Sequence, residues 1–294
     1  MLQRGENDMS RFLEDLKSFC LQKGYCVYSI GEIKNGGKAE EVSVIPGNPC
    51  QNGYSIAKLF TVTAIGLLYD RGEITPQDRV VDILGDECPR FSDPRWEQVT
   101  VHHLLTHTAG LPGGCLDIDV MDANAFGEDY LQYLFSLPFI ADPGAQEAYS
   151  DGAFYLLSCL AEHAAGERLL NFLWRELFFP LGVREAAWSC CPKGHSMGAT
   201  GLYMRSGDTA KLGELYRSGG VYQGARYLSE EWVALAKHEH YELHPTGIGN
   251  CYGKGGMCGQ KLFIDPDKNR VVAFHAYVNV EPDELIRFEQ NYEE

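Results

Sequence analysis

The stretch SIAKLFTVTAIGLLYD (residues 55–70) decides the fold, because nearly every residue in it is apolar or small. A helix that is apolar on all sides must be buried, so residues 55–71 are predicted to form a helix through the centre of the protein. Gly72 ends the run, and Pro76 disfavours its resumption. The rest of the chain is therefore expected to pack around this segment.

The predicted helix begins with the pattern Ser-x-x-Lys, formed by Ser55 and Lys58. Residues three apart share a helix face, which places the Lys58 ammonium beside the Ser55 hydroxyl. A serine hydroxyl becomes a good nucleophile only beside a base or cation, and a helix N-terminus adds unpaired amides where an oxyanion would form. The pattern alone is weak evidence, since roughly one is expected by chance in this composition.

Composition narrows the classes of protein. The 294 residues are 45% apolar and carry a formal charge of −16, which suits a globular protein of one domain or two lobes and argues against nucleic acid or an anionic membrane as a partner. The N-terminal MLQRGENDMSRFLEDLKSFC lacks the apolar core of a signal peptide, and no run reaches membrane-spanning length. Ten cysteines without a C-x-x-C pair favour reduced thiols, so we expect a cytoplasmic protein.

Hydrophobic periodicity predicts both helices and strands. The predicted helices are 9–22, 100–108, 152–165, 167–178, 208–217 and 229–238, and the predicted extended segments are 25–30, 42–45, 200–204, 261–264 and 271–277. A hairpin at 261–277 together with the N-terminal strands predicts an antiparallel sheet assembled from both ends of the chain.

Two further polar groups are candidates for a site. Tyr149 and Asp151 precede an apolar helix, and a tyrosine near a lysine ammonium loses its proton more easily and can act as a general base. Lys254 is followed by Gly255, Gly256 and Met257, where glycines allow a strand edge to approach a substrate closely. A surface lysine, a core tyrosine and a tight turn are the alternative interpretations of each group alone.

The order of these groups resembles the penicillin-recognising serine hydrolases, in their class C β-lactamase-like branch of D-alanyl-D-alanine carboxypeptidases, D-aminopeptidases and serine esterases. That family shows S-x-x-K, then Y-x-N about a hundred residues later, then K-T-G or H-x-G. The segments VHHLLTHTAGL (101–111), GLY (201–203), LSEEW (228–232) and the hairpin 259–272 are also similar to the family. The resemblance covers most of residues 50–280.

The resemblance implies a two-lobe β-lactamase/transpeptidase-like fold of the α/β plus all-α type, an antiparallel sheet flanked by helices with a helical lobe. The α/β lobe would comprise approximately residues 1–54 and 199–294, and the helical lobe approximately 55–198. The resemblance also implies Ser55 as nucleophile, Lys58 as its proton-handling partner and Tyr149 as general base. The amides of Ser55 and Met257 would hold the oxyanion, and Lys254 would favour negative charge in the pocket.

Two positions depart from the family pattern. Asp151 stands where asparagine is usual, so an amide donor for the substrate carbonyl is lost, and a carboxylate near Lys58 would keep that lysine charged. Gly255 stands where β-lactamases carry a threonine or serine whose hydroxyl helps to bind a substrate carboxylate. We therefore expect neutral or amine-bearing substrates to be preferred.

These observations predict a serine hydrolase that acts through a covalent acyl-enzyme on a small ester or amide. A D-amino-acid peptidase or carboxypeptidase and a β-lactamase are alternatives, and a catalytically silent penicillin-binding-like scaffold is the alternative of another class. We expect a small-molecule ester, amide or D-aminoacyl substrate, no metal or organic cofactor, and no nucleic-acid or membrane partner. The sequence predicts no oligomeric state.

Other motifs have simpler interpretations. The segment GHSMG (194–198) fits the G-x-S-x-G nucleophile elbow, but Pro192 precedes it and an extended segment follows, so Ser196 is predicted to be a loop residue. His103 and His107 are one helical turn apart without the glutamate of an H-E-x-x-H zinc site, so a packing role is expected.

Overall fold

The computed structural model describes residues 10–293. Its strands are β1 (Val27–Lys34), β2 (Glu40–Ser43), β3 (Gln51–Asn52), β4 (Ala187–Trp188), β5 (Leu202–Met204), β6 (Val221–Tyr222), β7 (Ala225–Arg226), β8 (His244–Pro245), β9 (Tyr252–Gly256), β10 (Gln260–Asp265) and β11 (Arg270–Ala276). Its helices are α1 (Arg11–Lys23), α2 (Ala57–Asp70), α3 (Val80–Leu84), α4 (Val101–Leu105), α5 (Tyr130–Ser136), α6 (Asp151–Ala165), α7 (Leu169–Leu173), α8 (Ser206–Arg217), α9 (Glu230–His238) and α10 (Pro282–Gln290).

The main sheet is antiparallel, with the strand order β2-β1-β11-β10-β9-β8. The N-terminal strand β1 pairs with β11, for example Ile30 opposite Phe274, so the two ends of the chain meet in the middle of the sheet. The predicted sheet from both chain ends is confirmed. At one edge, the short β8 pairs only with Tyr252 and Gly253, and the outer edge of β9 at residues 254–256 extends beyond it.

Helix α2 lies in the centre of the larger apolar core, as its composition predicts. Every side chain from Ala57 to Leu68 is buried, and α2 packs against α6 on one side and α9 on another. The contact with α9 is tight, since a Cβ added at Gly66 would lie 2.2 Å from Nε1 of Trp232. Packing on all sides fixes the position of the helix. It therefore also fixes Ser55 and Lys58 at the start of the helical segment.

Helices cover both faces of the sheet. Helices α1 and α10 form a second apolar cluster with one face, and α8 packs on the other. The N-terminus of α8 comes so close to β1 that a Cβ added at Gly31 would lie 2.5 Å from the amide nitrogen of Gly207. The described residues contain no helix that combines the length and the apolar character needed to cross a bilayer.

Several element boundaries differ from the sequence prediction. The helix predicted over 55–71 starts with a 3-10 turn, Tyr54–Ile56, and the helix predicted over 100–108 ends at Leu105. The helix predicted over 167–178 is divided into α7 and a π-helical turn, Trp174–Phe178. Residue 9, the predicted start of the first helix, lies outside the described residues, as do the other eight residues that begin the N-terminal stretch 1–20, which is predicted not to be a signal peptide.

Candidate active site

Ser55 lies in the 3-10 turn that leads into α2. The preceding residue, Tyr54, has a left-handed backbone (φ 46°), which turns the chain sharply from β3 into the helix. One turn later, the Lys58 Nζ lies 3.1 Å from the Ser55 Oγ. The structure thus brings the two residues of the Ser-x-x-Lys pattern into hydrogen-bond contact, as their spacing predicts.

The Lys58 side chain is fully buried, with 0% of its surface exposed. Its ammonium donates hydrogen bonds to Ser55 Oγ, to Asp151 Oδ1 at 2.6 Å and to the carbonyl of Ala199 at 3.1 Å. An ammonium has three hydrogens, so these three acceptors use all of them. Burial alone would lower the pKa of Lys58, but Asp151, Tyr149 and Glu242 together outweigh it and the pKa is raised above its usual value.

Asp151 is the first residue of α6, and the Ser150 side chain caps that helix by accepting from the amide of Ala153 at 3.3 Å. The Asp151 side chain is buried and forms an ion pair with Lys58. The departure from the family asparagine therefore provides a counter-charge for Lys58, in agreement with the expectation that this lysine stays charged.

Tyr149 contacts the same serine from the opposite side. Its hydroxyl is 3.0 Å from Ser55 Oγ and 3.4 Å from Lys254 Nζ. The ring is 43% exposed, and the ammonium nitrogens of Lys58 and Lys254 lie 4.7 Å and 5.0 Å from its centroid. The phenol is therefore open to the solvent side and lies between two positive charges.

Strand β9 lies directly over the turn that carries Ser55. A Cβ added at Gly256 would lie 2.4 Å from the carbonyl oxygen of Gly53 and 3.3 Å from the Ser55 amide nitrogen. Gly256 thus permits the close approach of the strand edge that the sequence predicts. Met257 follows at the start of a 3-10 turn, Met257–Gly259, and contacts the same cleft as Ser55.

The structure changes the expected role of Lys254. Its side chain is buried, and its ammonium forms an ion pair with the Glu242 carboxylate, which is 1% exposed. Burial alone would raise the pKa of Glu242, but Lys254, His107 and His244 together hold it well below its usual value. The charge of Lys254 is therefore compensated inside the protein, which limits the pull on substrate anions that the sequence led us to expect.

His107 belongs to this network, which sequence reasoning missed. Its Nδ1 accepts a hydrogen bond from the Ser150 amide at 3.3 Å, so Nε2 carries the proton and donates to Glu242 Oε1 at 2.9 Å. The His107 ring lies against the Tyr149 ring, with 4.3 Å between centroids. The left-handed backbones of His107 (φ 56°) and Glu242 (φ 59°) are the kind of local strain found at functional sites.

A cleft of about 450 Å³ opens in front of Ser55. The residues that line it are Ser55, Tyr149, Gly255, Gly256, Met257, Gln260, Lys261, Glu281, Pro282 and Asp283. Strands β9 and β10, the start of α10 and the turn before α2 therefore form its walls. The volume suits a small molecule.

The acidic groups near the site have protein partners. Asp117, Asp119 and Asp151 have carboxylate oxygens within 4.8 Å of one another, a spacing compatible with a metal. Asp151 pairs with Lys58, and Asp119 accepts a 2.5 Å hydrogen bond from the Thr200 hydroxyl. The described residues contain a second such group, Cys251, Asp265 and Glu289, but it does not line the cleft.

The other motifs have structural roles. Ser196 is buried in a loop, where its amide donates to Glu162 Oε1 at 3.1 Å, and a short strand rather than a helix follows it. His103 completes the N-terminal capping box of α4 with Thr100, and His102 Nδ1 is 2.7 Å from the Tyr241 hydroxyl. The packing interpretation holds for His103, whereas His107 lies beside the site.

Comparison with known proteins agrees with this geometry. A family model described as Beta-lactamase matches residues 52–291. Esterase EstB of Burkholderia gladioli is 31% identical over 148 residues, covering 46% of this chain and 37% of that protein. The D-alanyl-D-alanine-carboxypeptidase/endopeptidase AmpH of Escherichia coli (strain K12) is 26% identical over 193 residues, covering 58% of this chain and 49% of that protein. The chain thus covers less than half of the length of each of these two relatives.

The crystal structure of a family VIII carboxylesterase superposes with a TM-score of 0.74 at 16% identity, covering 96% of this chain and 98% of that one. This likeness shows the β-lactamase/transpeptidase-like fold that the resemblance implies. The family model covers most of the chain, including both Ser55 and the strand β9 beside it. The chain therefore belongs to the Beta-lactamase family of serine hydrolases.

Proposed function

We propose that this protein is a hydrolase in which Ser55 attacks the carbonyl carbon of a small ester or amide. One observation carries the proposal: the Ser55 Oγ lies within hydrogen-bond distance of both the Lys58 ammonium and the Tyr149 hydroxyl, at the wall of an open cleft. A nucleophile, a cation and a candidate base in direct contact are the parts that acyl transfer needs.

In the proposed acylation step, Tyr149 acts as a phenolate: the Ser55 Oγ forms a bond to the carbonyl carbon while its proton passes to the Tyr149 oxygen. The bond from that carbon to the leaving oxygen or nitrogen then breaks, and Tyr149 returns the proton to the leaving group. In deacylation, water gives a proton to Tyr149 and attacks the acyl-enzyme ester. The Ser55 ester bond breaks, serine regains its proton, and a carboxylic acid is released.

Tyr149 suits the base role better than Lys58. The three hydrogens of the Lys58 ammonium are all donated, and its pKa is raised, so this group holds its proton. In the proposed mechanism Tyr149 accepts the proton as a phenolate, and the ammonium groups of Lys58 and Lys254 beside its ring stabilise that negative charge. Lys58 then orients Ser55 and stabilises its developing negative charge.

The amides of Ser55 and Met257 are the proposed oxyanion donors. Ser55 stands in the first turn of a helical segment, where amides have no intrahelical acceptor, and Met257 stands at the start of its own turn. The tight approach of Gly256 to Ser55 brings these two turns together. Two fixed donors at a developing negative charge typically account for a large part of catalysis.

The first substrate class is a small ester or amide. The similarity to an esterase and to a D-alanyl-D-alanine-carboxypeptidase/endopeptidase supports an ester first and a D-amino-acid peptide second, with a β-lactam as a further alternative. A catalytically silent binding protein is the alternative of another class. The cytoplasm stays the predicted compartment, on the basis of ten cysteines without a C-x-x-C pair, which favour reduced thiols.

A fluorophosphonate probe tests the proposal directly. The wild-type protein should be labelled at one site, mapped by mass spectrometry to Ser55, and should hydrolyse at least one substrate in a panel of chromogenic esters, D-aminoacyl amides and a cephalosporin. Ser55→Ala should lose both labelling and turnover. Ser196→Ala is the matched control, since this buried loop serine should leave both intact. An adduct on another residue would overturn the assignment of Ser55 as the nucleophile. A folded wild type without labelling or turnover would favour the silent scaffold.

A further inference from the structure

Lys261 is a third lysine near Ser55, after the buried Lys58 and Lys254, and it lines the cleft itself. Its position follows from the strand register. It lies in β10 directly opposite Gly255 of β9. A Cβ added at Gly255 would be 3.8 Å from the Lys261 Nζ, so the ammonium lies beside the position that a Gly255 side chain would take. Both residues line the cleft that contains Ser55.

The three lysines differ in their counter-charges. Lys58 pairs with Asp151 and Lys254 pairs with Glu242, both within the protein. In the part of the chain that the structure describes, no carboxylate oxygen lies within 4.0 Å of the Lys261 Nζ and no protein acceptor binds it. Lys261 is therefore the cleft lysine whose charge is left for a ligand.

The surroundings of Lys261 make a bound anion favourable. The side chain is partly buried, and this burial lowers the pKa of Lys261, against a smaller opposite effect from Asp283. An ammonium held partly out of water without a hydrogen-bond acceptor is unfavourable, and an anion in contact with it relieves that cost.

We propose that Lys261 is a specificity-determining residue that binds a single carboxylate of the substrate, on the strand-β9 side of the scissile bond. The proposal rests on the proposed acyl transfer at Ser55 and names the substrate class for it. It reverses the expectation, drawn from Asp151 and Gly255, that neutral or amine-bearing substrates are preferred. Gly255 removes a hydroxyl, but it also leaves the space into which the Lys261 ammonium extends.

Glu281 and Asp283 limit this preference to one carboxylate. Both are exposed and line the cleft at the start of α10. The two carboxylates repel negative charge at the α10 end of the cleft, whereas Lys261 attracts negative charge beside β9. The electrostatic field along the cleft therefore favours one orientation of a monocarboxylate. Removing the two carboxylates and removing Lys261 should therefore change selectivity in opposite directions.

A matched pair of thioesters tests the proposal: the benzoyl thioester of thioglycolic acid and that of its methyl ester. They share the acyl group and the sulfur leaving group and differ in one negative charge. In turnover, the Ser55 Oγ–carbon bond forms and the carbon–sulfur bond breaks, with the serine proton passing to the thiol. Loss of thioester absorbance follows the reaction without a thiol reagent, which would react with the protein's free cysteines.

The wild type should show a higher kcat/KM for the acid than for the methyl ester. Lys261→Met should lower that ratio about tenfold or more, as expected for loss of a charged hydrogen bond, while turnover of the methyl ester changes little. Lys261→Arg should keep the preference, and the pair Glu281→Gln/Asp283→Asn should raise it. Lys237→Met is the matched control, because Lys237 is an exposed lysine of α9 that contacts the Tyr252 ring and does not line the cleft.

Binding to Ser55→Ala protein separates this proposal from the proposed function. Calorimetry should give tighter binding of the acid than of the methyl ester, and adding Lys261→Met should remove the difference, whether or not the wild type turns over either thioester. Equal binding of the two thioesters to Ser55→Ala protein, or a ratio unchanged by Lys261→Met, overturns the Lys261 proposal. Absence of turnover with preserved selective binding overturns the proposed function instead.

Discussion

At the scale of single residues, the Lys58–Asp151 pair determines which group can accept the serine proton. The pair is buried, and its contact is 2.6 Å. Removing the partner of a buried charge usually costs more than the pair contributes, because the remaining charge is left without compensation. A buried lysine without its counter-charge avoids this cost by becoming neutral.

Asp151→Asn should therefore convert Lys58 into a base. With the carboxylate gone, burial is the dominant effect and lowers the pKa of Lys58, so a neutral amine becomes available beside Ser55. In the wild type, Tyr149→Phe should reduce the acylation rate by roughly 10²–10⁴-fold. In the Asp151→Asn background the same change should cost much less. The measurement is a double-mutant cycle on kcat/KM for a neutral ester as a function of pH.

The control for this cycle is Tyr155→Phe, which removes a buried hydroxyl on α6 that contacts Cys191 rather than Ser55. It should have the same small effect in both backgrounds. Full additivity of Tyr149→Phe and Asp151→Asn would show that Lys58 does not take over the proton and that the Asp151 carboxylate has no part in assigning the base.

At the scale of elements, the critical contact is the one between strand β9 and the turn before α2. Gly256→Ala places a methyl group 2.4 Å from the Gly53 carbonyl, a separation that real Cβ atoms do not show, so the strand must move away from Ser55. We expect kcat/KM to fall about a hundredfold, since small misplacements of reacting groups have effects of that order. The steady-state kinetics of a neutral ester provide the measurement.

Gly255→Ala is the matched control for folding. The nearest atoms to its Cβ would be the Gln260 carbonyl oxygen and the Lys261 Nζ, both at 3.8 Å, so the melting temperature should change little. If Gly256→Ala retained wild-type turnover, the proposed oxyanion pair of Ser55 and Met257 would lose its structural basis.

At the scale of the whole molecule, the buried Glu242–Lys254 pair links stability to acid pH. The groups facing Glu242 are Lys254, His107 and His244, and its pKa is held well below the usual value. In the unfolded chain the carboxyl takes up a proton near its ordinary pKa of about 4.3. Below that pH the unfolded state binds more protons than the folded state, so the free energy of unfolding falls as the pH falls.

Glu242→Gln combined with Lys254→Met should weaken this dependence. Between about pH 4 and pH 3 the slope of unfolding free energy against pH should decrease by up to about 1.4 kcal/mol per unit, the contribution of one proton. Glu242→Gln alone should destabilise the protein at pH 7 by about 3–5 kcal/mol, since Lys254 would stay buried without its partner. Urea unfolding over pH 3–7 measures both effects, and an identical slope in the double variant would contradict the linkage.

The predicted division into an α/β lobe (1–54 and 199–294) and a helical lobe (55–198) stays a prediction. The strands of the main sheet do come from residues 27–43 and 244–276. Helices α2 and α6, which lie between these two segments in the sequence, pack against each other. Limited proteolysis of the full chain provides a direct measurement of which segments separate.

The sequence by itself determined the features that depend on local pattern. The apolar run of α2 specifies a buried helix whatever packs against it, and the spacing of Ser55 and Lys58 places both on one face of its first turn. The alternation at 261–277 specifies the hairpin β10–β11. The family resemblance added Tyr149 and β9, and the structure places both beside Ser55.

Only the tertiary structure decided which charges in the cleft are compensated. Glu242 lies 135 residues from His107 and meets it only because the segment before β8 folds against the end of α4. Lys261 lies next to Gly255 because the β9–β10 register pairs them, and a one-residue slip would turn its side chain to the other face. Local sequence specifies helices and strands, but ion pairing inside a protein depends on how distant segments are packed. That packing leaves Lys261 at the wall of the cleft.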